Sequence, residues 1–344
     1  MGSRCLSFLY KLLIYIVFQG KLKFFQKPPE MGRILELTPQ QTRQYIDAET
    51  VFLELQRARR EAAEVRGSMF WRTQSGAEYL IRESSGGGQK SLGTRTPETE
   101  QIFQRFKSRK EQAQSRLAAL TEAAHHQQRL NKALRVGRVP GIVIKTLNAL
   151  QAAGLQDHFM TIGTHSLYAY ESACGVRFSP DAMATQDIDL LFDSRKRIAF
   201  MSRMKKLDSS FIAALQKADP TFRVMPDQKQ TAINDSGFEV DVIRRTAKDD
   251  DPHPFRMSSN EDDLWAVQVE GADQMLSSAR FSQVVVAETG HMALMTTMNP
   301  ITFIALKKMM SMSAERDPRK RLKDALQAEL VQQLVTTHMP QYAG

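Results

Sequence analysis

The stretch ATQDIDLLFD (184–193) decides how this chain is read. Two acids, one residue apart, open an apolar run of strand character. Successive strand side chains alternate faces, so Asp187 and Asp189 point the same way, about 7 Å apart at about 3.3 Å per residue. Two carboxylates on one face suit hard divalent cations, which prefer oxygen ligands. Carboxylates embedded among apolar residues are costly unless a cation or a hydrogen-bond donor meets them. Downstream, FEVDVIR (238–244) sets Asp241 between Val240 and Val242. Placed on a neighbouring strand, Asp241 would bring a third carboxylate to the same cluster, with Glu239 on its face as the reserve candidate. Upstream, FMTIG (159–163) reads as a buried strand and the residues after it as a helix, so Gly163-Thr164 sits at the junction. Glycine lets backbone approach a ligand closely, and a helix N-terminus offers free N–H groups to phosphate oxygens. Each piece alone is common; the three in this order are much more specific.

Around this block the chain reads as helices first, then mixed α and β. Thr38 followed by Pro39 starts one helix, and Thr96-Pro97 with Glu98 and Glu100 starts a second that runs to about Leu134. Between them FWRTQSGAEYLIR (70–82) predicts a hairpin turning at Ser75-Gly76. SSGGGQKSLGTRT (84–96) is glycine-rich enough to predict a mobile loop. Residues 142–155 form an amphipathic helix ending near Gly154. After the Asp pair, Asp208 is the expected N-cap of a helix that Pro220 ends. Strands follow at 222–225, 230–233 and 238–244, a hairpin at 284–297, and two closing helices at 301–312 and 321–335.

The whole chain has 344 residues, long enough for more than one structural unit. Hydrophobic residues at 42% and charged residues at 25% exclude a disordered chain, a collagen-like repeat and a polytopic membrane protein. Two cysteines, Cys5 and Cys174, make neither a disulfide framework nor a four-thiolate zinc site, and a reducing, cytoplasmic home is the simplest reading. A net charge of +9 favours anionic partners such as nucleotides or RNA. Residues 1–30 stand apart: an apolar run at 5–18, then a basic stretch ending at a proline pair. They read as an extension before a start at Met31, with a membrane-surface anchor or a signal as alternatives. No His-Glu-x-x-His, Walker-type loop or Gly-x-Gly-x-x-Gly occurs.

The order glycine plus hydroxyl residue, Asp-x-Asp, then a third acid on a later strand resembles the polymerase-β-like nucleotidyltransferase superfamily. IGTHSLYAYESACGVRF (162–178), ATQDIDLLFD, FEVDVIRR (238–245) and PRKRLKDALQAELV (318–331) resemble more narrowly a bacterial family of predicted nucleotidyltransferases of unassigned substrate. SLGTRTPETE (91–100) and GRVP (137–140) extend the likeness over most of 40–340. In outline the chain is also similar to nucleotidyltransferase toxins of the abortive-infection type, which implies a neutralising antitoxin-type partner.

The resemblance implies an α+β, polymerase-β-like nucleotidyltransferase fold: a mixed or antiparallel sheet with flanking helices, plus N-terminal and C-terminal helical regions. The expected division is 31–140 mainly helical, 141–298 catalytic core and 299–344 C-terminal helices. Asp187, Asp189 and Asp241 would hold Mg²⁺ or Mn²⁺ and carry catalysis, and Gly163 and Thr164 would hold the phosphates of an NTP. Lys307, Lys308 and Lys323 are the candidates for meeting the departing pyrophosphate, with Arg177 and Asp324 as further candidates. Two departures from the pattern stand out. Thr164 takes the place of a second glycine or a serine, and His165-Ser166 stand where Asn and Ala are expected. The implied reaction transfers a nucleoside monophosphate from NTP to a hydroxyl on RNA, a protein or a small molecule; the basic helices lean towards RNA, and membrane contact is not expected. The alternative is a non-catalytic nucleotide- or RNA-binding regulatory module on the same fold.

Overall fold

Two capped helices open the described part of the chain. Thr38 accepts from the Gln41 N–H while the Gln41 side chain accepts from the Thr38 N–H, and Pro39 fills the first turn of α1 (Pro39–Glu64). Thr96 and Thr99 repeat this reciprocal cap at the start of α2 (Pro97–Ala133). Between them β1 (Ser68–Gln74), β2 (Ala77–Glu83) and β3 (Gln89–Thr94) form an antiparallel sheet, turning at Ser75-Gly76 as the sequence predicts. The third strand corrects the expectation of an irregular loop over 84–96. The glycines cluster at 86–88 and make only the turn, while Gln89, Lys90, Ser91 and Thr94 pair with β2. The computed structural model describes residues 34–248 and 251–342. The expected extension at 1–30 lies outside the described residues.

From Pro140 the chain builds a mixed seven-stranded sheet. Helix α3 (Gly141–Ala153) ends in left-handed Gly154, and β4 (Phe159–Ile162) follows a short 3₁₀ turn. Gly163–His165 make a second 3₁₀ turn into α4 (Ser166–Cys174). Strand β5 (Asp187–Phe192) lies antiparallel to β4, with Ile162 opposite Asp189. A meander of β6 (Arg223–Met225), β7 (Gln228–Ile233) and β8 (Glu239–Arg244) then returns so that β8 runs parallel to β5. Two short strands, β9 (Phe255–Arg256) and β10 (Trp265–Gln268), complete the sheet, in a segment with no hydrophobic periodicity to announce them. Asp208 does not cap the helix that follows it. It takes a left-handed conformation at the end of Arg197–Leu207, and the Ser210 hydroxyl receives the Ala213 N–H instead. The architecture is mixed α+β.

The hairpin of β11 (Arg280–Val286) and β12 (Met292–Met298) ties the N-terminal helices to this body. Alternation divides its side chains between two cores. Val284 and Val286 pack with Tyr45, Ala48 and Phe52 of α1, whereas Val285 and Ala287 face the main core. The closing helices α5 (Pro300–Met312) and α6 (Pro318–His338) bury Phe303, Leu306, Leu330, Val331 and Leu334 against the same main core. Among the described residues no helix is long and apolar enough to cross a membrane.

Candidate active site

The parallel pairing of β5 and β8 sets Asp187 beside Glu239 and Asp189 beside Asp241. Residues at register partners on one face come together, and oxygen atoms of Asp187, Asp189 and Asp241 all lie within 4.8 Å of one another. Among the described residues this is the one cluster of three or more His, Cys, Asp or Glu side chains with metal-binding geometry. Glu239, the reserve candidate, opens β8 as the register partner of Asp187 and is not part of the cluster.

Gly163 closes one side of this cluster. Its φ of +70° is left-handed, and a Cβ there would lie 2.4 Å from Asp189 Oδ2. The sequence suggests a glycine that lets a ligand approach; the structure adds that Asp189 itself occupies the space. Two hydroxyls hold the other carboxylates. Thr231, the register partner of Asp241 on β7, donates to Asp241 Oδ1, and Thr185 donates to Asp187 Oδ1.

The charges are under-compensated. Burial, and then repulsion from Asp187 and Asp241, pushes the Asp189 carboxyl up to about 7, against a weaker pull from Lys307 and Lys320. Burial also raises Asp241, offset in part by the Thr231 hydroxyl. Three crowded carboxylates with one held near neutral are a donor set that a hard divalent cation fits.

The remaining candidates divide by position. Lys307 is buried on α5 and bonds Asp324 at 2.7 Å, and Arg316 bonds the other oxygen of the same carboxylate. Asp324 therefore orients basic residues. Burial lowers the Lys307 pKa despite that partner. Lys323 reaches from α6 to the Ala184 carbonyl at 2.5 Å, one residue before Thr185, whose hydroxyl donates to Asp187. Lys308 is exposed and bonds Gln332 at 3.4 Å, away from the cluster. Arg177 donates to the Arg135 carbonyl on the N-terminal side. Thr164 follows Gly163 in the 3₁₀ turn, and its Oγ1 accepts from Gln327 Nε2 at 3.2 Å.

Several participants escape a reading of the sequence. Gln327 is fully buried and donates to both Ala182 O and Thr164 Oγ1, so α6 is pinned to the turn that follows β4. Gln327 follows Asp324 by three residues and Lys323 by four, the spacing that sets it beside each of them on the helix surface. Thr185 and Thr231 could have been found by asking which hydroxyl stands two residues, or one register pair, from each acid. His165, a departure from the expected pattern, is buried against Tyr168 and Phe238. Burial holds its ring down to about 4, so it is neutral at pH 7. Cys174 is half-buried, and burial pushes its thiol up to about 12, which leaves it without thiolate chemistry.

Compared with known proteins, residues 142–343 match a family model described as a nucleotidyltransferase. No curated protein and no solved structure matches the chain.

Proposed function

Because the chain belongs to a nucleotidyltransferase family, matched over residues 142–343, we propose that it transfers a nucleoside monophosphate from an NTP to a hydroxyl acceptor at the Asp187–Asp189–Asp241 cluster. The observation that carries this reading is the convergence of those three carboxylates within 4.8 Å on paired strands. A divalent cation, Mg²⁺ or Mn²⁺, bound by the three acids would supply neutralisation of the triphosphate and a more acidic acceptor hydroxyl. The acceptor oxygen attacks the α-phosphorus, the bond to the β-bridging oxygen breaks, and pyrophosphate leaves in line. In this reading Asp241, oriented by the Thr231 hydroxyl, would help hold the cation that makes the acceptor hydroxyl more acidic. Gly163 and Thr164 give the turn along which the phosphates lie, at the start of α4. Lys323 brings positive charge to the Asp187 side, while Lys307 is fixed by Asp324 as a buried charge on the Asp189 side.

Calorimetric titration with each NTP tests the binding half of this reading. Binding that requires Mg²⁺ or Mn²⁺, and that Asp187→Ala with Asp189→Ala abolishes in a protein of unchanged circular dichroism, is the expected result. NTP binding indifferent to metal and to both substitutions would instead favour a regulatory module that keeps the fold without turnover.

A further inference from the structure

A large cavity lies apart from the acids, none of which lines it. About 990 Å³ in volume, it runs between the second half of α1, the middle of α2 and the C-terminal half of α3. Gln156 lines it from the 3₁₀ turn before β4, whereas Gly163 follows the end of that strand, and four strand residues span about 13 Å. The cavity is therefore separate from the carboxylate cluster. It lies where α1 and α2, about 39 Å and 55 Å long by rise per residue, straddle the body: α1 rests on the β11–β12 hairpin near Tyr45 to Phe52, α2 bonds the hairpin turn through Gln128 and Asn131, and Gln151 of α3 donates to Gln56 of α1.

Charge on α1 is sorted by face. Glu54, Glu61 and Glu64 pair with Arg57, Arg116 and Arg109 on one side. Arg59, Arg60 and Arg66 point along the cavity instead, and none of them has a carboxylate partner among the described residues. No Asp or Glu lines the cavity at all among those residues. Beyond Arg66 a second hollow of about 430 Å³ continues it and adds Arg82 and Lys90, again without an acid. Acids three or four residues from an arginine can pair with it on a helix surface; here Glu54, Glu61 and Glu64, the acids of this half of α1, pair with Arg57, Arg116 and Arg109 instead. The floor is rich in carboxamides, Gln114, Gln128, Asn148 and Gln151 among them. Gln56, buried to 6% exposure, also lines it, and its Nε2 has no hydrogen-bond partner.

We propose that this trough is an RNA-binding site, which makes RNA the acceptor class of the transfer reaction proposed above and rests on that reading for the word acceptor. Arg59 and Arg60 near the end of α1, with Arg66 just beyond its C-terminus, present a row of guanidinium groups to successive phosphates. The carboxamides below both donate and accept, as base edges and ribose hydroxyls require. With its continuation the trough exceeds the usual size of a small-molecule pocket, about 300–1,000 Å³, so a polymer fits it better than a free nucleotide.

The test measures fluorescence anisotropy of labelled oligo-uridylate and of bulk tRNA with the full chain across a KCl series. Arg59→Gln/Arg60→Gln/Arg66→Gln is compared with a charge-matched control, Lys205→Gln/Lys206→Gln/Lys217→Gln, drawn from exposed lysines of the main body. Loss of at least about tenfold in affinity, with the slope of log K against log salt reduced by about 2, is expected for the arginine variant alone. Because those arginines hold no carboxylate, both variants should keep the wild-type circular dichroism. Equal weakening in both variants, no RNA binding by the wild type, or equally tight binding of labelled poly-glutamate would overturn the proposal. The Asp187→Asn/Asp189→Asn protein separates the two readings. RNA bound with the arginine dependence intact, but without transfer, leaves the trough standing and removes the reaction; transfer to an acceptor that is not RNA does the reverse.

Discussion

Gly163 shows how one position serves both fold and chemistry. A methyl group there meets Asp189 Oδ2 at 2.4 Å, and the φ of +70° adds strain of about 1–2 kcal/mol for any other residue. The carboxylate is the softer partner, so it yields first. Gly163→Ala should therefore lower Mn²⁺ affinity by at least about tenfold (~1.4 kcal/mol), measured by electron paramagnetic resonance, while costing only a few degrees in Tm. Asp189 carries the pH dependence. Its carboxyl rises in the folded protein to about 7, from about 4 in the unfolded chain. Over that window the folded state holds the extra proton, so stability falls as pH rises and the full penalty is present above pH 7. Without metal, Asp189→Asn should raise Tm at pH 8 and leave it nearly unchanged at pH 4. Adding Mg²⁺ should stabilise the wild type and not the variant. An unchanged Tm difference between the two pH values would contradict this account of the cluster.

Elements were legible where local chemistry acts alone. Thr38-Pro39, Thr96-Pro97, Ser75-Gly76 and Gly154 mark helix starts, a turn and a helix end that the structure places where the sequence puts them. The alternation in DIDLLF and EVDVIR likewise announces two strands. Their parallel register is a tertiary fact, and it alone brings Asp241 to Asp189. Gln89–Thr94 was hidden because its pairing with β2 outweighs weak local propensity. Asp208 misleads because an acid before a helix is a cap only if its backbone is extended, and here φ is +47°. The lysines of the last two helices look alike in sequence; packing separates buried Lys307 from exposed Lys308. Asp324→Asn should leave Lys307 and Arg316 without their charge partner and destabilise by about 3 kcal/mol in urea unfolding. Lys308→Ala should change stability by less than about 0.5 kcal/mol.

At the scale of the whole molecule the β11–β12 hairpin is shared between two cores. It joins the overhanging helices to the sheet that carries the acids. The Tyr45 hydroxyl donates to the Val284 carbonyl at 2.7 Å and accepts from Gln283 at this junction. Tyr45→Phe should cost about 1–2 kcal/mol, read in urea unfolding, since it leaves a buried carbonyl without its donor. Its effect on NTP binding should be small, because the Tyr45 hydroxyl bonds Val284, Gln283 and Glu49 and none of the three clustered acids. The most direct measurement of the central claim incubates the full chain with each α-labelled NTP, Mg²⁺ or Mn²⁺, and total RNA or cell extract. Label should pass to a macromolecule or metabolite with wild-type protein and fail to pass with Asp187→Ala/Asp189→Ala. Equal transfer by both proteins, or none by the wild type under any nucleotide and metal, would contradict it.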